Sequence, residues 1–159
     1  MKADEKKYFP MFVDLTQKKV TVIGAGNIAK RRIETLLSFA GTIEVIAPDA
    51  CEKIKKLAKE GRLVWKEKEY DREDLYDADL VLSATNNEKV NNDVYSACKC
   101  LGISVNTASN RMKCDFYFPS ILQKEETVIG LNSAGNPAKT KNVRKEMQKW
   151  IEEAGEKHE

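Results

Sequence analysis

The period of apolar and polar positions changes several times along the chain, and each change marks a predicted element. Tyr8–Leu15 is apolar and is followed by a charged turn at Thr16–Lys19; the β-branched run Val20–Ile23 then predicts a strand that stops at a glycine. Behind it, Ile28, Ile33, Leu36, Leu37 and Ala40 fall at helical spacing, which predicts a helix over Asn27–Ala40 ended by Gly41. The same grammar gives a strand at Ile43–Ala47, a helix at Ala50–Glu60 and a strand at Leu63–Lys66. A charged connection, Glu67–Asp77, carries a helical turn at Glu73–Leu75; a strand at Asp79–Ala84, a helix at Lys89–Leu101 and a strand at Ile103–Asn106 follow. Strands alternating with helices predict an α/β fold with a parallel sheet and helices on both faces. Asp79–Ala84 is apolar enough to be covered on both sides. Pro10 disfavours a central position for Tyr8–Leu15, which is expected to pack as an extended arm or short strand at the sheet edge.

After Thr107 the alternation ends. The polar stretch Ala108–Asp115 leads to two strand-like runs, Phe116–Leu122 and Thr127–Leu131, with only the turn Gln123–Glu126 between them, so a hairpin is expected. A loop at Asn132–Pro137 opens a Lys/Glu-rich helix over about Ala138–Ala154, whose Trp150 and Ile151 form an apolar patch suited to a partner subunit, and Gly155–Glu159 is expected to fray. The chain therefore divides into an α/β domain over 1–113 and a small α+β segment over 114–159.

A length of 159 residues suits one domain with an appendage. The net charge of +2 comes from interleaved acids and bases, which argues against nucleic acid as partner. No stretch approaches the roughly 20 apolar residues of a membrane span. The polar Met1–Lys7 is followed by no hydrophobic signal core, so a cytoplasmic protein is expected. Cys51, Cys98, Cys100 and Cys114 match neither zinc knuckles nor a disulfide framework, and are expected to be reduced thiols. His158, the single histidine, stands beside the last residue and is a poor base or ligand; no metal site is expected.

The chemistry begins at Gly24–Ala25–Gly26–Asn27–Ile28–Ala29, a GxGxxA turn between a buried-type strand and an amphipathic helix. Gly24 suits the tight turn, Gly26 lets a pyrophosphate approach the backbone, and Ala29 lets helix and strand lie close. Free N–H groups at the helix start would face the anion, as in a Rossmann-type dinucleotide site. An acid at the end of the second strand commonly holds the ribose hydroxyls. Here that end reads Ile46–Ala47–Pro48–Asp49, so Asp49 is expected either to cap the next helix, the favoured reading, or to reach the ribose. No arginine directly follows the strand, which points to NAD over NADP. Ser83–Ala84–Thr85–Asn86–Asn87 is small and polar at a strand's carboxyl end, where open α/β sheets bind ligands. One of Lys30, Arg31 and Arg32 is a candidate to face a phosphate.

In this order, Phe9–Pro10–Met11–Phe12, the strand and glycine turn, Ala47–Pro48, Ser83–Ala84–Thr85–Asn86, Val105–Asn106, Phe118–Pro119–Ser120–Ile121 and Ser133–Ala134–Gly135 before Pro137 resemble the precorrin-2 dehydrogenase and sirohydrochlorin ferrochelatase family, the NAD-dependent part of sirohaem synthases. The resemblance runs from about Tyr8 to Met147. It implies a domain that binds NAD through Gly24, Gly26, Asn27, Ile28, Pro48, Asp49, Thr85 and Asn86, and a homodimer built by the hairpin and last helix. It further implies oxidation of precorrin-2 to sirohydrochlorin, with the tetrapyrrole near Asn106, Arg111, Lys113 and Ser133; Lys139, Lys141 and Arg144 are further candidates to pair with its carboxylates. Dual-activity members carry an aspartate where this chain has Ser109, the candidate catalytic position. A serine cannot act as a base near neutrality, so ferrochelatase activity is placed in doubt, and Asp115 matches no family acid. The family also continues into a further small helical region, so the substrate cavity is expected to be more open or completed by another protein. A non-catalytic NAD-binding sensor or subunit, and a chelatase without dehydrogenase activity, are the competing readings.

Overall fold

The computed structural model describes residues 8–155. Met1–Lys7 and His158 lie outside the described residues, as does the expected frayed end beyond Gly155. Five parallel strands, β1 (Lys19–Ile23), β2 (Thr42–Ala47), β3 (Val64–Glu67), β4 (Leu80–Ser83) and β5 (Ser104–Thr107), form one sheet in the order β3-β2-β1-β4-β5. Helices α1 (Asn27–Leu36), α2 (Glu52–Lys59) and α3 (Glu88–Leu101) connect them. A four-residue 3-10 turn at Arg72–Leu75 precedes β4.

Side-chain alternation decides which helix covers which face. Ile23, Ile46, Val81 and Val105 pack with Val94, Ala97 and Cys98 of α3 and with Leu75 of the 3-10 turn. The next residue after Val105 in β5 is Asn106, which in an extended strand points the other way; it receives the Arg32 guanidinium from α1 at 2.6 Å. So α1 and α3 flank opposite faces of the sheet. The buried strands β1 and β4 explain why Val20, Val22, Val81 and Leu82 are completely enclosed.

The chain moves from β1 to β2 to β3 in one direction across the sheet, then returns to β4 beside β1 and continues to β5. The carboxyl ends of β1 and β4 therefore meet at the point where the direction of winding reverses. Crevices at such a point are where open α/β sheets bind ligands.

Several boundaries depart from the sequence-based expectation. Helix α1 stops at Leu36 instead of Ala40, because the chain beyond it tightens to bonds three residues back: Ser38 N–H donates to the Thr35 carbonyl at 3.5 Å and Phe39 N–H to the Leu36 carbonyl at 2.9 Å. Helix α2 is shorter at both ends than expected. The apolar residues near the start of the described chain do not pack at the sheet edge, since Phe9, Met11 and Phe12 are largely exposed.

The chain forms two compact units, the first ending at Phe116 and the second starting at Tyr117. Residues 114–116 stay with the first because Asp115 N–H donates to the Val105 carbonyl at 2.8 Å and Asn106 Nδ2 donates to the Phe116 carbonyl at 2.7 Å. In the second unit, β6 (Ser120–Lys124) and β7 (Thr127–Leu131) pair antiparallel, and α4 (Pro137–Gly155) follows. The expected hairpin is present; its first strand starts later than the apolar pattern suggested, and Glu125 takes a positive φ of 51° in the tight turn.

Leu75 and Tyr76 are neighbours with opposite fates, one fully buried in the α3 face and the other 67% exposed. Leu75→Ala is expected to destabilise the fold by about 2–5 kcal/mol. Tyr76→Ala is expected to cost under about 0.5 kcal/mol, both read from urea unfolding.

Candidate functional site

The two glycines of the turn after β1 are required for different reasons. Gly24 has a φ of +102°, and a Cβ there would lie 2.5 Å from the Ala84 carbonyl oxygen and 2.8 Å from its carbon. The turn after β1 is thus pressed against the end of β4, and only glycine permits that approach. Gly26 has an ordinary φ of −83°, and a Cβ there would meet nothing within 4 Å. No protein contact demands glycine at 26; the open space is what an approaching pyrophosphate requires.

Gly26 is also the N-cap of α1, and that helix start differs from α3. Asn87 caps α3, accepting hydrogen bonds from Lys89 N–H at 3.0 Å and Val90 N–H at 3.3 Å, and Glu88 adds an acid to its first turn. Helix α1 has neither a side-chain cap nor an acid in its first turn. Its N–H groups and dipole are left to an anion, with Asn27 and the 52% exposed Ile28 at the surface.

Ala25, Gly26, Asn27, Asp49, Ala50 and Cys51 line an open depression of about 320 Å³. Asp49 does not cap α2, whose N-cap is Cys51 without a side-chain bond. The Asp49 carboxylate instead pairs with Lys55 Nζ at 3.0 Å. That bond holds its pKa below the ordinary carboxylate range, so it stays an ionised acceptor suited to hydroxyl groups. Lys55 also stands 5.9 Å from the Trp65 ring centroid. Sequence reading missed Lys55, which lies eight residues beyond the strand end, in the first turn of α2. Pro48 is exposed beside Asp49 and outside the lining of the depression.

At the end of β4, Thr85 and Asn86 follow Ala84, with Thr85 half-buried and Asn86 exposed. Thr85 is organised by Asn91, a buried α3 residue that the sequence reading also passed over. An asparagine inside the stripe of Val94, Ala97 and Cys98 was the available signal, because a buried amide must find partners. Here it finds them on Ser83, Thr85 and Ser109.

Of the other candidates, Ser109 is exposed in the loop after β5, near Asn91. Asn106 is 3% exposed, and its amide is committed to Arg32 and to the Phe116 carbonyl. The basic side chain of Arg32 is therefore engaged toward β5, and burial presses its pKa down from the usual arginine range. Arg111 is exposed on a short 3-10 turn. Lys113 reaches back to α3, hydrogen-bonding Asn92 with its ammonium 5.8 Å from the Tyr95 ring centroid. In the second unit, Ser133 uses its backbone to shape its loop: its N–H donates to Thr140 Oγ1 at 3.2 Å and its carbonyl accepts from Asn136 N–H at 2.9 Å. Arg144 Nη2 donates to the Ile121 carbonyl at 3.4 Å. All four cysteines are free, and burial pushes the Cys98 thiol up to about 12. Among the described residues, no group of His, Cys, Asp and Glu is placed to hold a metal ion, and no helix is long and apolar enough to cross a membrane.

Residues 11–120 match the model of a family described as putative NAD(P)-binding. The chain belongs to this NAD(P)-binding family. The match covers the sheet, the glycine turn and both loops at the β4 and β5 ends. A siroheme synthase of Pseudoalteromonas atlantica (strain T6c / ATCC BAA-1087) is 35% identical over 146 residues, covering 91% of this chain and 32% of that protein. A protein named "Probable multifunctional siroheme biosynthesis protein HemA" in Ruminiclostridium josui is 36% identical over 143 residues, covering 89% of this chain and 28% of its own length. The chain thus spans less than a third of these curated relatives. Among solved structures, "SirC, precorrin-2 dehydrogenase" is similar with a TM-score of 0.72 and 25% identity, over 89% of this chain and 70% of that one.

The contrast between the glycines is testable. Gly24→Ala is expected to cost on the order of 3 kcal/mol or more in unfolding free energy. Gly26→Ala is expected to leave stability within about 0.5 kcal/mol while weakening NADH binding by at least about tenfold, measured by fluorescence titration.

Proposed function

We propose that this chain is an NAD-dependent precorrin-2 dehydrogenase that makes sirohydrochlorin for sirohaem or a related tetrapyrrole. The observation that carries the reading is the open cradle at Gly26, beside an uncapped helix start at the sheet's switch point, in a chain similar to a precorrin-2 dehydrogenase at a TM-score of 0.72. Siroheme synthase relatives support the same pathway.

NAD, when bound, supplies the acceptor for the hydride that leaves precorrin-2, and one proton goes to solvent. The chain's own contribution is placement. Gly24 and Gly26 shape the turn, and the N–H groups of Asn27 and Ile28 receive the pyrophosphate. Asp49, its carboxylate held by Lys55, accepts from ribose hydroxyls and disfavours a 2′-phosphate, with Pro48 fixing the strand end before it. Thr85 and Asn86 line the approach to the reacting ring. Ser109 and Arg111 are the substrate-facing groups; Asn106, buried and doubly bonded, acts by holding the loop from 107 to 116. Ser133, Lys113 and the basic residues of α4 are assigned to the tetrapyrrole's carboxylates. The hairpin and α4 are assigned to a homodimer contact, supported by the 62% exposed Trp150 and by the small core that one hairpin and one helix provide. The free cysteines support a cytoplasmic location.

Ser109 supplies no carboxylate, which favours dehydrogenation without efficient metal insertion. Purified protein mixed with precorrin-2 and NAD is expected to produce reduced cofactor and sirohydrochlorin together, and Gly26→Asp to abolish both by clash and by charge against the pyrophosphate. NAD binding without turnover would replace the enzyme with an NAD-responsive sensor or subunit. Cobalt insertion into sirohydrochlorin is expected to be weak and to rise in Ser109→Asp; efficient insertion by the parent would overturn the role given to position 109.

A further inference from the structure

Asn91 is 2% exposed and bonds to two loops at once. Its Oδ1 accepts from Ser83 Oγ at 2.8 Å, from Thr85 Oγ1 at 2.7 Å and from Thr85 N–H at 3.3 Å. Its Nδ2 donates to the Thr85 carbonyl at 3.0 Å and to Ser109 Oγ at 3.3 Å. The orientation of this amide is not open to choice. A backbone N–H can only donate and a backbone carbonyl can only accept, so Thr85 by itself dictates which end of the amide is oxygen and which is nitrogen.

The nitrogen end therefore faces Ser109, and the Ser109 oxygen acts there as acceptor. A hydroxyl has a single proton, so that proton is left for a different partner. Ser109 is exposed and its backbone lies in a tightly held loop: Ala108 N–H donates to the Ser83 carbonyl at 2.8 Å, and Asn110 N–H to the Thr107 carbonyl at 3.2 Å. The hydroxyl is thus anchored at its lone pair and directed outward at its proton.

We infer that Asn91 is a positioning residue that presents the Ser109 hydroxyl as a hydrogen-bond donor to a carboxylate of the bound tetrapyrrole. The inference rests on the dehydrogenase reading above, and it gives Ser109 a role that a serine can fill: a neutral donor that orients substrate, with no proton abstraction. Because the same amide fixes Thr85, the substrate-facing hydroxyl and the cofactor loop share one support.

A double-substitution cycle tests this. Asn91→Ser is expected to lower kcat/KM for precorrin-2 about tenfold when Ser109 is present but less than about twofold in a Ser109→Ala background. The loss should fall mainly in KM for precorrin-2, and Ser109→Thr, which keeps the hydroxyl, should restore most of the activity lost in Ser109→Ala. NADH affinity, read by fluorescence, is expected to change by the same factor in both backgrounds, since that effect passes through Thr85. Fully multiplicative effects on kcat/KM, or a Ser109→Ala enzyme equal to the parent, would overturn the inference alone. A parent chain that binds NADH but leaves precorrin-2 unoxidised would overturn the dehydrogenase reading and this inference with it. A second measurement leaves Asn91 in place: in Ser109→Ala, one of the two Asn91 side-chain amide proton resonances should move upfield and exchange faster while the other, bonded to the Thr85 carbonyl, holds. Two unmoved resonances would contradict the hydrogen bond on which the inference stands.

Discussion

The close approach of two backbones at Gly24 is the constraint on which the rest depends. The turn leaving β1 passes so near the end of β4 that a Cβ would overlap the Ala84 carbonyl oxygen at 2.5 Å. That contact brings the start of α1 and the Thr85 loop to a common rim. Gly26, two residues on, then has open space before it because the chain has already turned. The proposed dinucleotide site therefore combines one steric requirement with one space left clear beside it.

A second support lies underneath that rim, and it is polar. Asn91 sits among Val94, Ala97 and Cys98 on the inner face of α3 and still satisfies its amide, because Ser83 at the end of β4, and Thr85 and Ser109 in the loops after β4 and β5, are within its reach. Burying an amide without partners would cost more than an apolar residue at the same place. With every partner present, the amide fixes the geometry of two loops that hydrophobic packing alone would leave free. Arg32 and Asn106 do the equivalent on the opposite face, tying α1 to the far end of the same loop.

Much of the fold was legible because its signals are local. The alternation of β-branched runs and helical stripes located all seven strands and the four helices among the described residues to within a few positions. The glycine turn was legible for the same reason. The parts that were not legible depend on residues distant in sequence. Asp49 read better as a cap than as a ribose ligand, yet Cys51 occupies the cap position and Lys55 holds the Asp49 carboxylate. Asn106 carried a substrate role by resemblance, yet its amide is taken up by Arg32, 74 residues earlier. The apolar residues Phe9, Met11 and Phe12 suggested burial that the described fold does not provide.

The central claim is that the ends of β1, β2 and β4 together form the dinucleotide site. Backbone amide resonances followed during titration with NAD test it most directly. The largest shifts are expected at 24–28, 49–51 and 84–87, with the Gly26, Asn27 and Ile28 amides moving most. Shifts concentrated elsewhere in the chain, with these three segments unmoved at saturation, would contradict the account.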